Sequence, residues 1–267
     1  MSDRLIFIGA SGAGKSTAAL GFMQKPSGTT IIQHKGSQGF KYLVGIPALK
    51  ELTIVNASDF AEFAKAAEVA IAAKKDLIIV DDYDYLFRDA QRGARMGKTG
   101  NAQRLASQPV YQEAEQVVKR LTECGATVIF TCKAVAKAIS ANETEVGAFL
   151  PGLHAHMETG IADAVLHFVR RGPTFVCRSK GWVEGNTVYY AKATIGLGDF
   201  LPQEIELTKI AGKPYSTSVR DAMAAAKKQL AAAFGSPEPT PTPEPKKEEP
   251  AAPGAGPLFS GGTGGKP

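Results

Sequence analysis

Residues 9–16 read GASGAGKS, and they follow the short apolar run Leu5, Ile6, Phe7, Ile8. This order constrains the fold more than any other feature of the chain. An apolar run of that length reads as a buried strand, and a glycine-rich turn ending in Lys-Ser reads as a loop feeding a helix. Glycines let successive backbone N–H groups turn inward around phosphate oxygens, and the partly positive N-terminus of the following helix faces the same anion. Gly9, Ala10, Ser11, Gly12, Ala13, Gly14, Lys15, Ser16 and Thr17 are therefore the candidate nucleotide-binding residues. Lys15 has the reach for the β- and γ-phosphates, and the Ser16 hydroxyl is a ligand for Mg²⁺. No guanine-recognising motif accompanies the loop, so ATP with Mg²⁺ is the expected cofactor pair.

A carboxylate should complete the metal site. Residues 77–82 read LIIVDD, an apolar strand ending in two acids. Asp81 at the strand end is the candidate metal residue, and Asp82 is the candidate for polarising an attacking water or joining the metal shell.

Further short apolar runs at 29–33, 52–56 and 126–131 alternate with helical stretches at 15–23, 58–74 and 108–123. Ser58 is the expected N-cap of the second of these helices. Continuously apolar strands alternating with helices predict an α/β fold, a mostly parallel sheet sandwiched by helices. After residue 163 the pattern changes to short runs at 164–170, 173–178 and 187–192, separated by glycine turns. These predict antiparallel strands continuing the sheet, closed by an Ala-rich helix at 218–234 with Ser216 or Ser218 as its cap.

The expected domain is therefore 1–234, and residues 235–267 form a tail of different composition. Nine of the 16 prolines lie in that tail, with three lysines against four glutamates, so the tail is −1 and the body carries +6 of the chain's net +5. Such a composition predicts an extended, disordered segment. Its one apolar pair, Leu258-Phe259, is a candidate short motif for a replication or single-strand-binding partner. Three cysteines with no CxxC spacing argue against a disulfide framework or zinc ribbon. His154 and His156 form an HxH, read as a loop entering a helix at 159–165 rather than as a metal site. No apolar run reaches about 18 residues and no signal peptide is evident, so a cytoplasmic protein without a membrane partner is expected.

The ordered set of GASGAGKS, LIIVDD, QEAEQVVKRL, ATVIFTCK, AVLHFVRR and VYYAK resembles the RecA-like phosphate-loop ATPases over roughly residues 3–210. Most of all it resembles the phage-encoded RecA-like ATP-binding proteins of single-strand annealing and recombination. The resemblance implies a mobile DNA-binding loop after the metal-binding strand, here Arg88 to Asn101, with Arg88, Arg92, Arg95 and Lys98 as DNA-binding cations. It implies a γ-phosphate-sensing residue at Lys133, opening a second loop at 134–152. It places Lys192 where a basic residue reaches the ATP of a neighbouring subunit, and so implies assembly into a ring or filament. It places His34 where relatives carry a water-activating glutamate, making His34 the candidate base with slow or DNA-triggered turnover. In phage-encoded form the protein would act in the cytoplasm of a host bacterium. Two other readings stay open. One is a small-molecule or nucleotide kinase whose lid is the basic segment 88–98. The other is a nucleotide-dependent switch recruiting a partner through its tail. Trp182, beside Arg178 and Lys180, is expected to pack against its hairpin.

Overall fold

The computed structural model describes residues 2–37, 39–43, 45–147, 162–194 and 196–234. In chain order the strands are β1 (Arg4–Gly9), β2 (Thr29–His34), β3 (Thr53–Ala57), β4 (Leu77–Asp81), β5 (Thr127–Lys133), β6 (Val135–Ser140), β7 (Glu143–Gly147), β8 (Ala164–Arg171), β9 (Thr174–Arg178), β10 (Trp182–Glu184), β11 (Thr187–Tyr189), β12 (Lys192–Ala193) and β13 (Glu204–Glu206). The helices are α1 (Lys15–Leu20), α2 (Phe60–Ala72), α3 (Tyr83–Arg95), α4 (Gly100–Glu123), α5 (Leu197–Phe200) and α6 (Ser218–Phe234).

The central sheet runs β13-β9-β8-β1-β5-β4-β2-β3. Its six strands from β8 to β3 are all parallel. β9 and β12 share the outer edge of β8, both antiparallel to it, and β13 pairs antiparallel with β9. Parallel strands need both faces covered, and the core divides accordingly. Phe63, Ala67, Leu86, Phe87, Val117 and Leu121 from α2, α3 and α4 pack on one face. Ala18, Leu20, Leu197, Val219 and Met223 from α1, α5 and α6 pack on the other. The protein is thus an α/β fold with a mostly parallel sheet between helices.

Five local expectations need correction. Asp59, not Ser58, caps α2: its carboxylate accepts from the Glu62 N–H at 2.9 Å, while the Glu62 carboxylate accepts from the Ser58 N–H. This reciprocal pair satisfies two helix-start donors at once. Residues 88–101 are not a glycine-rich loop. They are the last two turns of α3, a short turn, and the start of α4, which begins eight residues before the apolar stripe at 108 and runs through Pro109. The glycines there occupy the turn at Gly97 and Gly100, both at positive φ, while Gly93 is inside the helix.

The strand-like runs after 163 do not all extend the main sheet. β10 and β11 form a hairpin that joins β6 and β7 in a separate sheet ordered β10-β11-β7-β6. The segment after Lys133 is therefore a β-hairpin over 135–147 rather than a loop. Ala164 and Val165 open β8, so the end of the helix expected at 159–165 is a strand.

Cys132 and Cys177 are buried and unpaired, and burial raises both thiols above their ordinary range. His154, His156, the rest of 148–161 and the tail 235–267 lie outside the described residues. No helix among the described residues is long and apolar enough to cross a membrane.

Candidate nucleotide site

The carboxyl ends of β1, β2, β4 and β5 converge on a cavity of about 640 Å³. Crevices outside the carboxyl ends of parallel strands are where open α/β sheets place ligands. Ser11, Gly12, Ala13, Gly14, Lys15, Ser16 and Thr17 line it. Gly14 sits at φ 96 before the first turn of α1, a backbone conformation that favours glycine, with the Leu207 side chain packed beside it. Gly9 and Ala10 take part through their carbonyls, each accepting from Lys15 Nζ at 2.9 Å. Lys15 is only 7% exposed, and burial lowers its pKa.

Asp81 ends β4 in register with Gln33 of β2, and β5 lies between β4 and β1. Its Oδ1 accepts from Thr131 Oγ1 at 2.7 Å and from Ser16 Oγ at 3.4 Å, and its Oδ2 accepts from Ser37 Oγ at 2.7 Å. Asp81 is 2% exposed, and desolvation raises its pKa despite those bonds. The predicted metal pair, Ser16 and Asp81, is thus in direct contact although 65 residues separate them in sequence.

The residues fit a small hard cation. A hydroxyl and a carboxylate are oxygen donors of the type Mg²⁺ takes, leaving further positions to phosphate and water. Gly39 keeps the space beside them open: a Cβ on it would fall 2.6 Å from Asp81 Oδ2 and 3.0 Å from Ser16 Oγ. Among the described residues no cluster of three or more His, Cys, Asp or Glu forms a self-contained metal cage.

Asp82 lines the cavity in the left-handed conformation at φ 53, ψ 44, immediately before α3. Its N–H donates to Thr131 Oγ1 at 3.0 Å. A non-glycine residue at positive φ is held there only when its surroundings over-determine it, and Thr131, tied to both Asp81 and Asp82, does so.

His34 also lines the cavity. Its Nδ1 accepts from the Gly36 N–H at 3.2 Å, so Nε2 carries the ring proton, and Nε2 lies 3.2 Å from the Asp89 carboxylate on α3 without the alignment of a hydrogen bond. In this arrangement neither ring nitrogen offers a lone pair to water. The ring stacks on Tyr85 at 5.9 Å between centroids. Lys133, at the end of β5, lies 4.3 Å over the same Tyr85 ring, and its Nζ donates to the Tyr85 hydroxyl, which raises the lysine's pKa. The Lys133 N–H donates to buried Asp84 at 3.2 Å.

Lys192 stands on β12 opposite Val165 and is not part of the cavity lining. Arg88 and Arg92 are exposed on α3. Arg95, one turn further, instead donates from Nε to Ser107 Oγ of α4 at 2.7 Å, and Ser107 is fully buried. Lys98 Nζ donates to the Ala94 carbonyl in the turn. Trp182 packs as expected: it stacks on Tyr189 at 4.4 Å, and the Arg178 guanidinium lies 4.1 Å from its ring centre.

Several site residues carry no sequence signal. Ser37 and Thr131 hold Asp81, Tyr85 links His34 to Lys133, and Tyr42, Phe175 and Leu207 give the cavity an apolar side beyond Gly14 and Thr17. Thr131, Ser37 and Tyr85 lie two or three residues from Lys133, His34 and Asp82, but no local pattern singles them out. The rest come from segments that no local pattern joins to the phosphate loop. Compared with known proteins, the chain matches no protein-family model and no curated sequence.

Proposed function

We propose that the chain binds ATP with Mg²⁺ and hydrolyses it slowly as a RecA-like phosphate-loop ATPase acting on single-stranded DNA, in recombination or annealing of the phage type. One observation carries the reading: Lys15, Ser16 and Asp81 converge in one cavity, with Ser16 Oγ 3.4 Å from Asp81 Oδ1. Backbone N–H groups of 11–17 and the Lys15 ammonium would hold the phosphates. Ser16 and Asp81 would hold Mg²⁺, which supplies charge neutralisation at the transferred phosphoryl group. Asp82 is the carboxylate placed to orient water, since Nδ1 of His34 already accepts from the Gly36 N–H and Nε2 carries the ring proton.

Helix α3 offers a route from DNA to the nucleotide. Its first turn carries Tyr85, which touches His34 and Lys133, and its second carries Asp89 beside His34. Arg88 and Arg92 continue the same helix at i, i+4 spacing, so they form a stripe for a phosphodiester chain rather than a flexible loop. A phosphate-sensing role for Lys133 and a trans role for Lys192 in a ring or filament belong to the same proposal. The test is ATP hydrolysis with Mg²⁺, with and without single-stranded DNA. Stimulation by DNA is expected; phosphate transfer to a small-molecule acceptor with no effect of DNA would replace this reading by a kinase.

The lack of a free lone pair on His34, whose Nδ1 accepts from the Gly36 N–H, favours a second reading, a nucleotide-dependent switch with little turnover. Tight ATP binding with DNA-independent, negligible hydrolysis would select it.

A further inference from the structure

A second cavity, of about 570 Å³, lies at the far edge of the central sheet, between β3 and α2. β3 pairs with β2 on one side, and no strand among the described residues pairs with its other side. Its sequence, TIVNA, has no proline or charge to blunt that edge. The unpaired backbone groups are a template for an added strand. Beside them the cavity is lined by Val55 from β3 and by Ala66, Val69 and Ala70 from α2, with Val69 61% exposed. Thr30, from β2, also lines it; it is 2% exposed and its hydroxyl has no partner.

We propose that this groove receives the chain's own segment around Leu258-Phe259, laid as a short strand along β3 with an apolar side chain against Val55 and Val69. Three observations select this occupant. Leu258 and Phe259 are the only large apolar residues in 235–267, a stretch otherwise built of Pro, Glu, Lys, Thr, Ser, Ala and Gly. The reach is sufficient: at about 3.1 Å per residue for Pro-rich chain, the path from Phe234 to Leu258 spans on the order of 70 Å, more than the roughly 40 Å width of a domain this size. A two-residue apolar contact is weak between separate molecules, but tethering raises the effective concentration to about the millimolar range, where weak strand addition becomes populated.

The test is amide hydrogen exchange of the full chain. In the unaltered chain the amides of residues 53–57 are expected to exchange about tenfold more slowly than in the double variant Leu258→Ala, Phe259→Ala. Val69→Glu, at an exposed position of α2, is expected to give the same loss, with no further loss when combined with the tail variant. Independence of chain concentration is expected for the chain's own tail; dependence on it would assign the docking to a second copy and overturn the tethered reading. Equal exchange of 53–57 in the unaltered chain and the tail double variant overturns it, as does a tail effect that Val69→Glu does not reproduce. No nucleotide is present in these measurements, so the outcome is independent of the ATP reading.

Discussion

The phosphate loop and the α3–α4 hairpin are both cation-bearing segments, yet they use their cations differently. In the loop, backbone geometry fixes where the one lysine goes: Lys15 is buried and held by carbonyls of its own turn. In the hairpin, a run of four cations is divided by tertiary contact. Arg88 and Arg92 face solvent, while Arg95 bonds Ser107 and ties one helix to the next. A cation run in sequence is thus not one functional patch. Its members part company according to which face of the helix meets a neighbour.

The sharpest test of the contrast is Lys15→Ala. Removing a charge-assisted contact to phosphate costs about 1.5–3 kcal/mol per hydrogen bond, so ATP affinity measured by calorimetry should fall on the order of 100-fold or more. The corresponding change in the hairpin, Arg92→Ala, should leave ATP affinity unchanged.

Asp81→Asn comes next. Asn retains an oxygen acceptor for Thr131 or Ser37 but loses the charge, so the Mg²⁺ dependence of nucleotide binding should disappear. The pH profile gives the sign. Burial raises the pKa of Asp81 above 3.8, so the folded chain holds that proton where the unfolded chain has released it. Stability of the metal-free chain therefore falls as pH rises from about 3.8 through the raised value, and Mg²⁺-nucleotide binding grows over the same window. Asp81→Asn should flatten both limbs, as read by thermal melts and by calorimetry across pH.

Within the hairpin, Arg95→Ala should lower unfolding stability by about 0.5–1.5 kcal/mol, because buried Ser107 keeps its bond to the Gln103 carbonyl but loses the one it accepts from Arg95. Arg92→Ala should change stability by less than about 0.5 kcal/mol, yet reduce the salt dependence of single-stranded DNA binding by roughly one phosphate contact. Equal stability losses in the two variants would erase the distinction between a structural and a solvent-facing arginine.

The smallest expected effect is Tyr85→Phe. Loss of the hydroxyl should bring the Lys133 pKa down towards its ordinary value, followed by NMR titration, while the ring stays available to stack on His34. DNA stimulation of hydrolysis, if it runs through α3, should weaken in the same variant.

The sequence by itself determined the parts whose physics is local. An apolar run followed by GASGAGKS dictates strand, glycine-rich turn and helix within a few residues, and LIIVDD puts Asp81 at a strand end. The alternation of such runs also determined a parallel sheet with helices on both faces. Only the tertiary structure decided what fills the space between these parts. Asp81 is held by Ser37 and Thr131, which lie 44 and 50 residues away, and those spacings have no periodicity to betray them. The helical state of 88–95 was equally hidden, because the resemblance implied a loop there and Gly93 among the cations gave no helical signal against it. There Leu86 and Phe87 bury against the sheet and Tyr111 of α4 packs on Phe87, so burial outweighed the weak local preference of one glycine. Strand pairing decided the fate of the 135–147 segment in the same way: its partner, β11, is some forty residues on, and only the fold brings the two edges together.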